Sequence, residues 1–247
     1  MRLVHYQMPD WQIKLLDREE IADRTIAFFF QKPPGLEFTA GQFVDLMLIK
    51  PPEIDAAGSS RTMTIASAPF EDQLMFAMRM RDTAFKRTMQ NLPLGSEIMI
   101  DDPAGAFTLH RDSARTGVFI AGGIGITPFL SMIRQSVHDS LPHRLYLFFS
   151  NRRPEDAAFL AELQTLTVAN PRYSLIPTMT QMWRSTAKWE GETGYVNAGM
   201  LAKHIGSIAG PAYYVAGPPP MIESMRQMLI EHGVDRNDIN ADPFDGY

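Results

Sequence analysis

A short apolar run that leads straight into a glycine-rich turn most constrains how this chain can fold. Residues 118–121 read VFIA, and residues 122–128 read GGIGITP. A wholly apolar run of this length is typical of a strand buried on both faces of a parallel sheet. Pro128 suits the first turn of a helix, where its missing N–H costs no hydrogen bond. The segment therefore predicts a strand, a tight turn and a helix within an α/β sheet.

The same alternation continues toward the C-terminus. Further apolar runs occupy residues 145–149 and 213–216, and helical patterns begin at Pro128, Pro154 and Pro220. Acidic residues follow Pro154, where they favour a helix N-terminus. Strands that alternate with helices predict a parallel sheet of the nucleotide-binding type.

The first 111 residues have a different pattern. Candidate strands are short and separated by turn formers, at residues 26–30, 43–49, 74–81 and 97–101. Several short strands broken by turns suggest a small antiparallel barrel. We therefore predict two domains, an antiparallel β-barrel over residues 1–111 and an α/β parallel-sheet domain over residues 112–247.

The composition excludes several classes of function. The chain has 247 residues, is 45% hydrophobic and carries a net charge of −5, so it lacks the basic surplus of nucleic-acid-binding proteins. It contains no cysteine, which excludes disulfides and cysteine-bound iron–sulfur clusters within it. Its six histidines show no metal-ligand spacing, so no metal site is predicted. Because no apolar stretch approaches ~20 residues and the start lacks a signal-peptide pattern, we expect a cytoplasmic protein with no membrane span and no nucleic-acid partner.

Two segments carry residues suited to binding anions. At residues 122–128, glycines allow close backbone approach and the helix N-terminus favours negative charge, although a plain strand-to-helix turn would need the same residues. Residues 61–67 read RTMTIAS. Arg61, Thr62 and Thr64 offer a guanidinium and two hydroxyls to a phosphate, and the alternative is an exposed strand with an unrelated arginine.

Taken in order, these motifs resemble those of the ferredoxin–NADP reductase family. The run RTMT at residues 61–64 is similar to the family's Arg-x-Tyr-Ser/Thr motif, and GGIGITP is similar to its Gly-Gly-x-Gly-x-Thr-Pro motif. Residues 215–221 (VAGPPPM) resemble its Cys-Gly-Pro-Pro-x-Met loop, and FDGY at residues 244–247 resembles its terminal aromatic segment. The resemblance implies a barrel that binds FAD, a sheet that binds NAD(P) and hydride transfer between nicotinamide and flavin.

The resemblance also implies roles for individual residues. Arg61 would contact the FAD pyrophosphate, while Thr64 and Tyr247 would act at the reacting flavin, Thr64 at its reactive edge and Tyr247 by covering its ring. The residues expected to bind FAD or the nucleotide are Arg61, Thr62, Met63, Thr64, Met78, Arg79, Lys86, Gly122, Gly123, Gly125, Thr127, Pro128, Ser150, Arg152, Arg153, Ala216, Gly217 and Pro218. Because Met63 replaces the family tyrosine, FAD and FMN both stay open, and because Ala216 replaces its cysteine, no thiol is required.

The nucleotide and the electron acceptor also stay open. Ser150, Arg152 and Arg153 end a predicted strand, where two arginines either hold the 2′-phosphate of NADP or pair with surface carboxylates, so NAD and NADP are both candidates. We expect an NAD(P)H-dependent FAD oxidoreductase that passes electrons to a separate acceptor, such as ferredoxin, flavodoxin, an oxygenase component, a quinone or free flavin. The alternatives are a flavin-bearing electron-transfer or regulatory subunit without nicotinamide turnover, and a binding module that has lost its flavin.

Overall fold

A computed structural model describes residues 11–243, which form two six-stranded sheets. The first sheet is antiparallel, with strand order β4-β3-β6-β1-β2-β5. Its elements are β1 (Trp11–Ala22), β2 (Thr25–Gln31), β3 (Phe43–Leu48), β4 (Ser60–Thr64), β5 (Gln73–Arg79), α1 (Ala84–Asn91) and β6 (Glu97–Ile100). This confirms the antiparallel β architecture predicted for the first part of the chain.

The antiparallel sheet curls until its two edge strands meet. The N–H of Ala66, just beyond β4, donates to the carbonyl of Met75 in β5 at 2.8 Å. Alternating residues of the strands point inward, and their side chains form one buried cluster that includes Phe28, Phe30, Leu46, Phe76 and Ile98. A sheet closed in this way has no long exposed edge, and its inward-facing residues fill the barrel.

The second sheet is parallel, with strand order β10-β9-β8-β7-β11-β12. Its elements are β7 (Gly117–Gly122), α2 (Thr127–His138), β8 (Leu145–Asn151), α3 (Leu160–Ala169), β9 (Tyr173–Met179), β10 (Glu192–Thr193), α4 (Ala198–Ile205), β11 (Ala212–Gly217), α5 (Pro219–Glu231) and β12 (Ile239–Pro243). Every residue of β7 and β11 is buried, because helices cover both faces of the central strands. The predicted α/β parallel sheet is confirmed.

The structure differs from the sequence expectation at the second predicted helix. Pro154–Asp156 is only a short 3-10 helix, and α3 begins six residues after Pro154. Phe159 lies between them with a φ of 61°, in the left-handed region, so a continuous helix from Pro154 is interrupted. The predicted boundary at residue 111 falls between β6 and β7, and the division into two domains at that point stays a prediction.

The two sheets share part of their hydrophobic core. Ala27, Met75 and Ala77 of the first sheet belong to the same buried cluster as Phe119 and Phe129 of the second. Polar contacts cross the same boundary: the Ser131 hydroxyl donates to the Ser67 carbonyl at 2.7 Å, and Arg134 reaches both Glu71 and Glu162. This packing holds the carboxyl edge of the parallel sheet against the barrel.

Within residues 11–243, no helix has the length and apolar character needed to cross a membrane. The same residues contain no group of three or more His, Asp or Glu side chains that could hold a metal ion.

Candidate cofactor-binding site

The carboxyl edge of the parallel sheet opens into a cavity of about 650 Å³. Three strand ends contribute to its wall, through Gly122 of β7, Asn151 of β8 and Gly217 of β11, and the barrel contributes Arg79 and Arg81. Of the residues predicted from sequence, those that line the cavity are Arg79, Gly122, Gly123, Gly125, Ser150, Arg152, Gly217 and Pro218. The cavity therefore spans the junction between the two sheets.

The glycines of the turn after β7 have two different roles. A Cβ on Gly122 would lie 2.4 Å from the Met221 sulfur, and a Cβ on Gly217 would lie 3.1 Å from the Gly122 backbone, so these glycines allow two loops to touch. Gly123 differs because its φ is +55° and a Cβ there would meet no atom of residues 11–243 within 4 Å. Its backbone therefore faces open space at the cavity wall, where a ligand could approach closely.

Three predicted residues support the turn from behind and do not line the cavity. Thr127 is buried, and its hydroxyl donates to the Ile124 carbonyl at 3.3 Å. Pro128 occupies the first turn of α2 and is buried, as is Ala216 at the end of β11. Their contacts fix the shape of the edge, and their assignment as cofactor ligands stays a prediction.

Asp156 gathers three arginines at one end of the cavity. Its side chain is only 1% exposed, and its carboxylate lies 2.9 Å from Arg79 Nη2, 3.0 Å from Arg153 Nε and 3.6 Å from Arg152 Nη2. Burial alone would raise the pKa of Asp156, but hydrogen bonds from Arg153 and Arg79 outweigh it and hold that pKa below its ordinary value. Because Arg79 belongs to the barrel, this cluster also links the two sheets.

The two neighbouring arginines after β8, Arg152 and Arg153, differ in their contacts with carboxylates. Arg153 donates from Nε and Nη2 to Asp156 and from Nη2 to Asp23, at 2.8–3.1 Å, so its guanidinium is committed to carboxylates. Arg152 is 47% exposed, lines the cavity and makes only the 3.6 Å contact with Asp156 among its ion pairs in the described part of the chain. Arg152 is the one of the two that can reach an anionic ligand.

Sequence reasoning missed three residues at this edge. Asn151 is 5% exposed and lines the cavity, and neither atom of its side-chain amide has a hydrogen-bond partner among residues 11–243. Tyr195 lines the cavity and is 74% exposed. Asp242 pairs in register with Ala216, and burial raises its pKa to about 6. A buried amide without a partner is what a site for a polar ligand requires.

On the barrel, the Arg61 guanidinium turns back onto its own hairpin. Nη1 donates to the carbonyls of Ala57, Gly58 and Ser60 at 2.6–3.0 Å, and Nη2 lies 3.1 Å from Asp55 Oδ1. The Thr62 hydroxyl donates to the carboxylate of Asp45. These contacts lie outside the cavity described above, so the predicted flavin residues form a separate group.

The remaining predicted barrel residues lie around α1 or inside the barrel. Met63 and Met78 belong to the buried barrel cluster, and Thr64 is also buried. Lys86 donates from Nζ to the Arg79 carbonyl at 2.7 Å, and burial together with the charges of Arg81 and Arg61 lowers its pKa to about 8. Lys86, Arg81 and Arg61 therefore place three positive charges near the start of α1.

Tyr247, which was expected to cover the flavin ring, lies outside the described residues.

Comparisons with known proteins agree with this architecture. Residues 119–227 match the family described as oxidoreductase NAD-binding domain. The chain is 28% identical over 224 residues to the glycine betaine monooxygenase reductase subunit of Chromohalobacter salexigens, covering 90% of this chain and 60% of that relative. It is 28% identical to ferredoxin–NADP reductase B of Sorangium cellulosum, covering 84% of this chain and 86% of that protein.

A solved structure has the same fold. A ferredoxin–NADP⁺ reductase from Neisseria gonorrhoeae, crystallised with FAD and NADP, superposes with a TM-score of 0.78 at 22% identity, over 94% of this chain and 98% of the other. The chain spans only 60% of the length of the glycine betaine monooxygenase subunit, so that relative has further sequence without a counterpart here. The two-sheet fold, the NAD-binding match and these relatives together make the chain similar to ferredoxin–NADP reductase-like proteins, and residues 119–227 to an oxidoreductase NAD-binding domain.

Proposed function

We propose that this chain is an NAD(P)H-dependent flavin oxidoreductase, in which the barrel holds FAD and the carboxyl edge of the parallel sheet holds the nicotinamide nucleotide. The observation that carries the proposal is the cavity itself, because one wall is the glycine turn after β7 and another is the barrel pair Arg79 and Arg81. A ligand in this cavity touches both sheets. The bound flavin supplies the redox chemistry, and the protein aligns the two cofactors and excludes water.

Several residues suit the nucleotide in this arrangement. The open backbone at Gly123 can accept the pyrophosphate, and the unpartnered Asn151 amide can both donate to and accept from ribose hydroxyls. Gly217 and Pro218 line the part of the wall nearest Gly122, where the nicotinamide would lie close to the backbone. The Asp242 carboxyl lies at the same edge, and burial raises its pKa to about 6.

We further propose that the preferred nucleotide is NADPH and that Arg152 alone binds its 2′-phosphate. Burial and the nearby charge of Arg79 lower the pKa of Arg152, which marks a position with surplus positive charge. Arg153 cannot replace it, since three hydrogen bonds already join its guanidinium to Asp23 and Asp156. The 2′-phosphate would relieve the repulsion among these arginines.

The acceptor in this proposal is separate from the chain. The sequence holds no cysteine for an iron–sulfur cluster, so in this proposal electrons leave the flavin for a group outside these 247 residues. The similarity to a protein named as a monooxygenase reductase subunit favours an oxygenase component among the acceptors. A cytoplasmic location, where NAD(P)H is available, is part of the proposal.

A visible spectrum followed by anaerobic titration tests this function. The purified protein, incubated with FAD and then freed of unbound flavin by desalting, is expected to show flavin absorption that NADPH bleaches faster than NADH. A preparation that is colourless after this desalting step would refute the flavin assignment. A bound flavin that neither nucleotide reduces would instead favour an electron-transfer subunit without nicotinamide turnover.

A further inference from the structure

The loop between β3 and β4 places a carboxylate on Arg61, the residue expected to contact the flavin pyrophosphate, and on the N-terminus of α1, which also favours a phosphate. Asp55 Oδ2 accepts from the N–H of Ala84, the first residue of α1, at 3.1 Å. Its Oδ1 lies 3.1 Å from Arg61 Nη2 and accepts from the Ala57 N–H at 3.0 Å. The Asp55 carboxylate thus accepts hydrogen bonds from both Arg61 and the N-terminus of α1.

The same loop is fastened to α1 at a second point. Both carboxylate oxygens of Glu53 accept from the Arg87 guanidinium, one of them from Nε at 2.8 Å. Arg87 lies one turn after Ala84, so the loop follows the first turn of the helix. Two anions from one loop therefore cover the start of α1, where backbone N–H groups are unpaired within the helix.

A carboxylate and a pyrophosphate cannot share these donors. Both are anions, and each N–H that points at Asp55 would have to point at a phosphate oxygen instead. Arg61 has few N–H groups left for a phosphate, because its Nη1 already donates to the carbonyls of Ala57, Gly58 and Ser60. The Asp55 side chain is 32% exposed, so it can turn into solvent without disturbing the barrel core.

We propose that Asp55 is a built-in competitor of the flavin pyrophosphate, which satisfies Arg61 and the α1 N-terminus in the flavin-free chain and is displaced when FAD binds. This inference rests on the proposed function, since it requires FAD at the barrel. Asp55 then sets how tightly the protein retains its flavin. Flavins without a phosphate escape the competition, because they do not need these donors.

Flavin titration of the deflavinated protein tests this role. Quenching of flavin fluorescence gives the Kd for FAD and for riboflavin, which lacks phosphate. Asp55→Asn is expected to lower the Kd for FAD about tenfold, the effect of one contested charge-assisted hydrogen bond, and to leave riboflavin unchanged. Glu53→Gln is the matched control, because it removes a carboxylate from the same loop without freeing Arg61, and its Kd for FAD should stay within about twofold of wild type.

A second variant tests whether the contact with the helix N-terminus matters by itself. Asp55→Asn keeps a side-chain oxygen at the place that accepts from the Ala84 N–H, whereas Asp55→Ser is too short to reach it. Both variants remove the charge, so both should tighten FAD. Weaker FAD binding in both variants would overturn the proposal and make Asp55 a residue that positions Arg61. An equal gain for riboflavin would overturn it as well. If wild type binds FAD and no variant binds it more tightly, only this inference fails, whereas absence of flavin binding in every protein refutes the proposed function too.

Discussion

The nucleotide cavity and the Arg61 hairpin use their polar groups in opposite ways. At the cavity, the Asn151 amide has no partner among the described residues, and the backbone at Gly123 faces open space. At the hairpin, the Arg61 guanidinium and the start of α1 are already satisfied by Asp55 and by nearby carbonyls. Under the proposed function, one region is therefore open to its ligand, while the other would have to rearrange before it binds.

The pKa values of two carboxylates, Asp242 and Asp55, differ between the two regions in the same way. Burial raises the pKa of Asp242, beside the cavity, to about 6, and no hydrogen bond from residues 11–243 offsets it. Burial also acts to raise the pKa of Asp55, but hydrogen bonds from Ala57, Arg61 and Ala84 outweigh it, so its pKa lies below the ordinary value. Asp242, which accepts no hydrogen bond from the described residues, thus lies beside the open region, and Asp55, which accepts several, lies in the closed one.

The largest expected effect comes from filling the open backbone at Gly123. Gly123→Val would place a branched side chain at the cavity wall, and we expect the KM for NADPH to rise about 100-fold. Steady-state kinetics with varied NADPH measures this. Gly233→Val is the matched control, since Gly233 also has a positive φ with no atom near its Cβ but does not line the cavity. Similar KM values for the two variants would mean that backbone strain alone is responsible.

The second prediction separates the two arginines that follow β8. Arg152→Ala should raise the KM for NADPH by about 10- to 50-fold and change the KM for NADH little, because only NADPH carries the 2′-phosphate. Arg153→Ala should leave the ratio of the two KM values near wild type, since its guanidinium is bound to carboxylates. Loss of NADPH preference in Arg153→Ala would contradict this assignment.

The third prediction concerns Asp156, which links the two sheets at one end of the cavity. Asp156→Asn leaves the guanidinium groups of Arg79 and Arg153 without their shared counter-charge, and we expect a loss of about 2 kcal/mol in the free energy of unfolding. Urea denaturation measures it. Asp23→Asn is the control, because it removes a single exposed partner of Arg153 and should destabilise the protein less. Equal losses in both variants would argue against a special role for the buried carboxylate.

The smallest effect is expected from Asp242 and depends on pH. Since its folded pKa is raised to about 6, its contribution to stability is complete below the ordinary aspartate pKa and is lost as pH rises through about 6. Asp242→Asn should therefore be more stable than wild type by about 1 kcal/mol at pH 7, with almost no gain at about pH 3. Urea denaturation at the two pH values measures this difference. A gain that is the same at both would show that Asp242 does not titrate in this range.

Local patterns allowed much of the fold to be predicted. The turn after β7 was predictable because its strand, glycines and proline are adjacent in sequence. β1 was not predicted, since much of it is exposed and polar, and its residues do not form an apolar run. β9 was hidden by Pro177, which lies within the strand.

Which residues form the candidate site was easier to predict than which hydrogen-bond partners those residues have. The Gly-rich turn, Arg152 and Arg79 were all found from sequence, and the structure brings them to one cavity. Arg153 is bound by Asp156, three positions away, and by Asp23, 130 positions away, and Arg61 is bound by Asp55 in a loop that carries no motif. Motifs specify residue types, while competition for those residues is decided by neighbours that no motif includes.

The buried cluster shared by the two sheets has a practical consequence for dissecting the protein. Cutting the chain after residue 111 would expose Ala27 and Met75 on one fragment and Phe119 and Phe129 on the other. Each fragment would then expose an apolar surface, so we expect the fragments to aggregate when they are expressed separately. Co-expression would let each fragment cover the apolar surface of the other. The flavin and nucleotide halves are thus better studied by point substitution than by truncation.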